Sequence, residues 1–96
     1  LENCTVLKLI FNSDKNRILK VEFLYNNELY TVRVKESVIL SSGAYGSPKL
    51  LMLSGIGNST ELNKLGINTK IELPNVGKNL IDHLNIGSIS FLSLPS

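Results

Sequence analysis

The feature that most constrains this chain is a short segment that predicts a helix with apolar surface on every side. Ser47 can cap the first backbone amides of a helix, Pro48 suits its first position, and Gly55 suits a left-handed end. The run Leu50-Leu51-Met52-Leu53 lies between them, so a helix over residues 48–54 has no polar face for water. Such a helix needs partner surface, and a chain of 96 residues supplies little. We therefore expect a segment of a larger protein.

Alternating apolar residues before this helix predict three antiparallel strands. The period of two runs through residues 5–11, 18–25 and 30–34. Short polar residues separate the first two strands, and Asn26-Asn27, which tolerate positive φ, separate the second from the third. The sequence therefore predicts a β-hairpin followed by a third strand.

From residue 38 onwards the pattern changes. Val38-Ile39-Leu40 is continuously apolar, which is typical of a strand buried on both faces of a sheet. After the apolar helix, the sequence predicts a second helix over residues 59–65 that ends at Gly66, a short strand over 69–73 and an irregular loop over 74–83. Alternation returns over residues 84–94 and predicts a further strand. These elements together indicate the α+β class.

The junction between the buried strand and the apolar helix has the parts of a nucleotide-binding turn. A strand, a glycine turn and a helix start present free backbone amides and a positive dipole end, which a phosphate needs. The spacing of Gly43 and Gly46 matches neither GxGxxG nor GxxxxGK[ST], the two glycine patterns that bind phosphates. On the pattern alone, a plain bend and a nucleotide contact both stay open, with the bend favoured.

Several longer motifs together resemble one enzyme family. GSPKLLMLSGIG at residues 46–57 resembles the second signature of the glucose-methanol-choline (GMC) oxidoreductases, flavoproteins that oxidise alcohols. LPNVGKNLIDH at residues 73–83 resembles the family's LPGVGxNLxDH segment, with Asn75 where glycine is usual. CTVLKLIF at 4–11 is similar to a hairpin strand of the family, and VILSSGA at 38–44 to its VILSAGA strand. The resemblance covers essentially the whole chain, and the motifs also resemble those of the insect-type glucose dehydrogenase branch.

This resemblance implies where the chain lies in its parent enzyme. It implies an α+β fragment with antiparallel hairpin strands, one buried strand of a doubly wound FAD-binding sheet, short helices, and the start of an antiparallel substrate-domain sheet. Residues 1–83 would belong to the FAD-binding domain and residues 84–96 to the substrate-binding domain. It also implies that the backbone of Val6 meets the adenine side of FAD and that Gly43 and Ala44 lie near the same half. Without the resemblance, Val6 is an ordinary core valine and Gly43 a turn glycine.

The implied function is hydride transfer to FAD from the CH–OH group of a small alcohol or sugar. We assign no catalytic residue to this chain, because the resemblance places the catalytic base on a histidine beyond Ser96. Asp82 and His83 adjoin, but neighbours in an extended chain point to opposite sides. Cys4 and Ser47 have no paired base. The alternatives are a hydroxynitrile-lyase-like or non-catalytic relative on the same fold, and a self-standing β-rich module without a cofactor.

Charge and composition argue against other partners. The net charge of +2 comes from acidic and basic residues mixed along the chain, so no basic block indicates a nucleic acid. No apolar run approaches the roughly 20 residues of a membrane span, and no metal site is expected. Two glycosylation sequons, at Asn3 and Asn58, are about as many as chance gives. The compartment stays open, and only the insect-type resemblance favours secretion.

Overall fold

The computed structural model describes residues 2–15, 17–85 and 87. A three-stranded antiparallel sheet occupies the first third of the chain: β1 (Cys4–Phe11), β2 (Ile18–Tyr25) and β3 (Glu28–Arg33), in the order β1-β2-β3. The two asparagines between β2 and β3 have φ angles of 50° and 63°, as a tight hairpin turn requires. These strands confirm the three predicted from alternation, although β3 begins two residues earlier than expected.

The apolar helix, α1 (Gly43–Leu53), begins five residues earlier than the sequence predicted. Gly43 adopts a φ of +80°, which lets the chain turn directly into the helix. Pro48 therefore lies inside α1, where it removes one backbone hydrogen bond without ending the helix. Ser47 is not the N-cap; its Oγ accepts a hydrogen bond from the backbone N–H of Ser42 at 3.0 Å. The predicted end is confirmed, since Gly55 follows with a φ of +89°.

The buried strand expected at residues 38–40 does not form. The two described sheets, β1-β2-β3 and a small second one, do not include this segment, and Ile39 is 86% exposed. A strand requires neighbours that pair with its backbone N–H and C=O groups, and no described strand lies beside this one. The apolar pattern is present, but its partners are not among the described residues.

The second sheet consists of two very short parallel strands, β4 (Ile56–Gly57) and β5 (Ile71–Glu72). The helix α2 (Ser59–Lys64) lies in the connection between them. The side chain of Asn58 caps α2 by accepting a hydrogen bond from the backbone N–H of Glu61 at 3.1 Å. Gly66, with a φ of +72°, follows the helix. The predicted second helix is confirmed, β5 is shorter than the strand predicted there, and β4 was not predicted.

The described core is small and lies between β1, α1 and the second sheet. Leu9 is 1% exposed and Leu62 is fully buried, and Phe23, Leu50 and Ile56 complete the buried apolar set. Residues 74–83 form turns and irregular chain, as predicted. The strand expected at residues 84–94 lies almost wholly outside the described residues, so the domain boundary after residue 83 stays a prediction. In the described part of the chain, no helix is long and apolar enough to cross a membrane.

Candidate functional site

A cleft of about 360 Å³ lies between the start of β1 and one side of α1. We call it the β1–α1 cleft. Side chains or backbone from both elements line it: Cys4, Thr5, Val6, Ser42, Gly46, Lys49, Leu50 and Leu53. Its lining combines apolar side chains, hydroxyl groups and one ammonium group.

Strand pairing decides which backbone groups of β1 face this cleft. The backbone N–H of Val34 donates to the carbonyl of Leu19 at 2.8 Å, so the backbone groups of Leu19 point toward β3. Hydrogen bonding alternates along a strand, and therefore Phe23, four residues on, also points its backbone groups toward β3. Phe23 lies opposite Val6 on β1. Val6 is the last regularly paired residue before an irregularity between Val6 and Lys8, so its N–H and C=O face away from β2, toward the open edge of the sheet.

Leu9 is a second β1 residue whose backbone N–H faces this open edge. It lies opposite Val21, whose backbone also points toward β3, and its N–H donates to the Oγ of Ser54 at 2.9 Å. The Ser54 hydroxyl in turn donates to the carbonyl of Leu50 at 2.6 Å, and the Ser54 side chain is fully buried. The end of α1 is thereby held against the edge of β1, a few residues from Val6.

The wall that α1 contributes follows helical spacing. Gly46, Lys49, Leu50 and Leu53 are related by steps of three and four residues and therefore share one side of the helix. Gly46 has no side chain, and a Cβ built on it would lie 2.8 Å from the Cβ of Ser42. A side chain at residue 46 therefore conflicts with the preceding turn at the point where the helix borders the cleft.

The structure brings only part of the predicted site together. Val6 lines the β1–α1 cleft and is 43% exposed, so it is not a buried core valine. Ala44 instead lines a groove of about 520 Å³ on another side of α1. Gly43 lines neither, and a Cβ built on it meets nothing within 4 Å. The cofactor contacts of Val6, Gly43 and Ala44 stay predictions.

Of the eight residues that line the β1–α1 cleft, sequence reasoning assigned only Val6 to a cofactor contact. Gly46 was considered only as part of a nucleotide-binding turn, and no cofactor contact was predicted for Thr5, Ser42 or Lys49. The spacing of 46, 49, 50 and 53 was a usable signal for the helix residues, but the sequence gives no sign that this face turns toward β1. The packing of this helix face against β1 is a tertiary contact between residues that are distant in the sequence.

The groove beside Ala44 is more apolar, and the segment after β5 forms its far wall. Gly77 turns the chain there with a φ of +76°, and a Cβ on it would make only an ordinary van der Waals contact, at 3.5 Å, with the Sδ of Met52. An ion pair between Lys78 and Glu61 fastens this segment to α2. The remaining apolar lining is largely exposed: Tyr45, Leu53, Leu65, Leu80 and Ile81.

Asp82 and His83 form no acid–base pair. The carboxylate of Asp82 accepts a hydrogen bond from the backbone N–H of His83 at 2.8 Å, and both residues are exposed.

The other titratable groups of the described chain also form no reactive cluster. Tyr30 donates a hydrogen bond to the carboxylate of Glu28 at 2.7 Å, and this neighbour raises the pKa of the exposed Tyr30 hydroxyl. Within the described ranges, no three His, Cys, Asp or Glu side chains gather as metal ligands.

Small-molecule and cofactor sites are concave and mostly apolar with a few polar groups, and the β1–α1 cleft has this character. Comparison with known proteins identifies the class. The family profile described as GMC oxidoreductase matches residues 1–85. The chain belongs to the GMC oxidoreductase family, as the motifs indicated.

Individual relatives agree with this assignment. The chain is 51% identical over 75 residues to the oxygen-dependent choline dehydrogenase of Staphylococcus saprophyticus. The matched region makes up 78% of this chain and 13% of the relative. The chain is also 51% identical over 70 residues to human mitochondrial choline dehydrogenase, covering 73% of this chain and 12% of the relative. The chain therefore spans about an eighth of the length of these relatives. The finer resemblance to insect-type glucose dehydrogenases stays a prediction.

Solved structures show the same fold. An FAD-dependent oxidoreductase from Chaetomium thermophilum matches with a TM-score of 0.71 and 32% identity, covering 78% of this chain and 13% of that one. A formate oxidase matches with a TM-score of 0.67 and 36% identity, covering 71% and 12%. The fold class, an α+β arrangement with an antiparallel hairpin and short helices, is confirmed.

Proposed function

We propose that this chain is a segment of an FAD-dependent oxidoreductase that acts on CH–OH groups, and that the β1–α1 cleft holds the adenine side of FAD. The observation that carries the proposal is the open backbone edge of Val6, which borders this cleft. FAD, when bound, accepts the hydride that leaves the alcohol carbon. Membership of the GMC family supports this choice of cofactor.

The residues of the cleft fit an adenine. Val6, Leu50 and Leu53 offer apolar contacts for the faces of a flat ring. The N–H and C=O of Val6 offer one donor and one acceptor, which complement the acceptor nitrogens and the amino group on an adenine edge. The hydroxyls of Thr5 and Ser42 add polar contacts at the rim.

The segment contributes binding and orientation rather than proton transfer. A general base must lie within hydrogen-bond reach of the substrate hydroxyl, and the described residues hold no base paired with a second group in a cleft. We propose that a histidine in another part of the full-length protein takes the hydroxyl proton. Choline, which the relatives are named for, joins other alcohols and sugars as a candidate substrate.

The visible absorbance spectrum of the purified full-length protein tests the proposal. We expect oxidised-flavin bands that bleach anaerobically when an alcohol substrate is added, with choline, simple primary alcohols and glucose as the panel. Denatured protein that releases free FAD, identified by mass, is the control for cofactor identity. A folded protein without flavin contradicts the proposal, whereas bound flavin that no alcohol bleaches favours the lyase-like or non-catalytic alternative.

Replacing Gly43 with valine is expected to lower the flavin content of the full-length protein. Steric crowding is not the reason, because a Cβ on Gly43 meets nothing within 4 Å. The structural reason is its φ of +80°, which a β-branched residue adopts at a cost of about 1–3 kcal/mol. The turn into α1 would shift, and the wall of the β1–α1 cleft with it.

The measurement for Gly43→Val is the ratio of flavin to protein absorbance after purification and dialysis against limiting FAD. Asp82→Asn is the comparison variant, because Asp82 is exposed and lines neither the cleft nor the groove. Equal flavin content in Gly43→Val and wild type removes the argument for this turn.

A further inference from the structure

We propose that Lys49 is an additional cofactor-binding residue, whose ammonium group donates a hydrogen bond to an acceptor atom on the adenosine-phosphate half of FAD. This inference rests on the proposed function. It adds a residue that the motifs did not indicate and places the contact on the helix rather than at the glycine turn.

The first observation is position. Lys49 lies between the groove beside Ala44 and the β1–α1 cleft and lines both, and Val6 lines the cleft from the β1 side. Lys49 lies one turn after Gly46, which has no side chain to cover that part of the helix surface. A ligand on the edge of Val6 would therefore meet the Lys49 side chain as the next group along the helix.

The second observation is charge. Lys49 is the one charged residue among those that line the β1–α1 cleft. Among the described residues, the ion pair in the structure joins Lys78 to Glu61, and none joins Lys49 to a carboxylate. The first turn of α1 also carries no acidic residue. The ammonium is thus available to a hydrogen-bond acceptor on a ligand.

The third observation is the surface beneath the side chain. Leu50 is buried, and Leu53 lines the same cleft, so the four-carbon stem of Lys49 has apolar surface to lie along. This arrangement lets the stem pack while the charged end stays at the rim. An adenosine or phosphate oxygen or a ring nitrogen at the rim would receive a charge-assisted hydrogen bond.

Titration of FAD into the flavin-free full-length protein tests the inference, with the dissociation constant read from flavin fluorescence. Lys49→Met keeps most of the stem and removes the charge, and we expect it to raise the dissociation constant about tenfold, equivalent to roughly 1.4 kcal/mol. Lys49→Arg keeps the charge and is expected to stay within about threefold of wild type. Lys8→Met is the matched control, because Lys8 is an exposed lysine of β1 that lies outside the cleft.

Competition with adenosine and with AMP locates the acceptor atom. A loss confined to AMP places it on the phosphate, and an equal loss for both ligands places it on the base or ribose; either supports a Lys49 contact. An unchanged dissociation constant for Lys49→Met, or an equal loss in Lys8→Met, overturns the inference. Failure of the wild-type protein to bind FAD at all would instead overturn the proposed function.

Discussion

Replacing Gly55 with alanine is expected to destabilise the full-length protein by about 2–4 kcal/mol. Gly55 has a φ of +89°, and a Cβ on it would lie 2.7 Å from the backbone oxygen of Asn68. The chain cannot move aside easily, because the carbonyl of Gly55 accepts hydrogen bonds from the N–H groups of Lys70 at 2.8 Å and Ile71 at 3.2 Å. Backbone strain and a steric clash therefore act together at this position.

Gly66 provides a matched control for this prediction. It also has a positive φ, +72°, but a Cβ there meets nothing within 4 Å. Gly66→Ala should therefore cost only the backbone term, about 1 kcal/mol. Denaturant unfolding of both variants, followed by the signal of the domain that contains them, measures the difference. Equal losses would show that the contact with Asn68 contributes nothing.

Replacing Ser54 with alanine is expected to cost about 1–3 kcal/mol. The Ser54 hydroxyl joins the N–H of Leu9 to the carbonyl of Leu50, and its side chain is fully buried. Alanine would leave the N–H of Leu9 without a partner at a residue that is 1% exposed, and such a group pays its full desolvation cost.

The Ser54 variant also tests the link between packing and cofactor binding. Because Ser54 holds α1 against β1, its loss should lower flavin content as well as the midpoint of thermal unfolding. Ser47→Ala is the comparison, since the Ser47 hydroxyl also accepts from a backbone N–H, but at an exposed site where water can replace it. A Ser54→Ala protein as stable as Ser47→Ala would contradict the role of this bridge.

Local elements were predictable where short-range chemistry decides them. Alternation predicted β1, β2 and β3, and the Asn26-Asn27 turn has the positive φ angles expected of it. Gly55 and Gly66 end the helices that they were expected to end. The family was also recognisable, because its motifs are long and continuous.

Placement of the site was less predictable. Ser47 reads as a helix cap, yet α1 starts at Gly43, because a glycine at positive φ allows an earlier turn than Pro48 alone suggests. The family resemblance implied that Val6, Gly43 and Ala44 contact the same half of FAD, whereas in the structure Val6 lines a cleft together with Ser42, Gly46 and Lys49. Which face of a helix turns toward a strand 40 residues away depends on packing, and a local pattern does not contain it.

What the sequence by itself determined is the three strands β1 to β3 with their turns, the presence of the two helices, and the family, since these follow from periodicity, glycine positions and contiguous motifs. Only the tertiary structure decided that the open edge of β1 faces α1, because that arrangement depends on the Ser54 bridge between distant residues. It also decided that only Leu50 of α1 is buried, while Ile39 stays exposed. Whether a side chain is buried depends on the surface that packs against it, and a local sequence pattern does not specify that second surface.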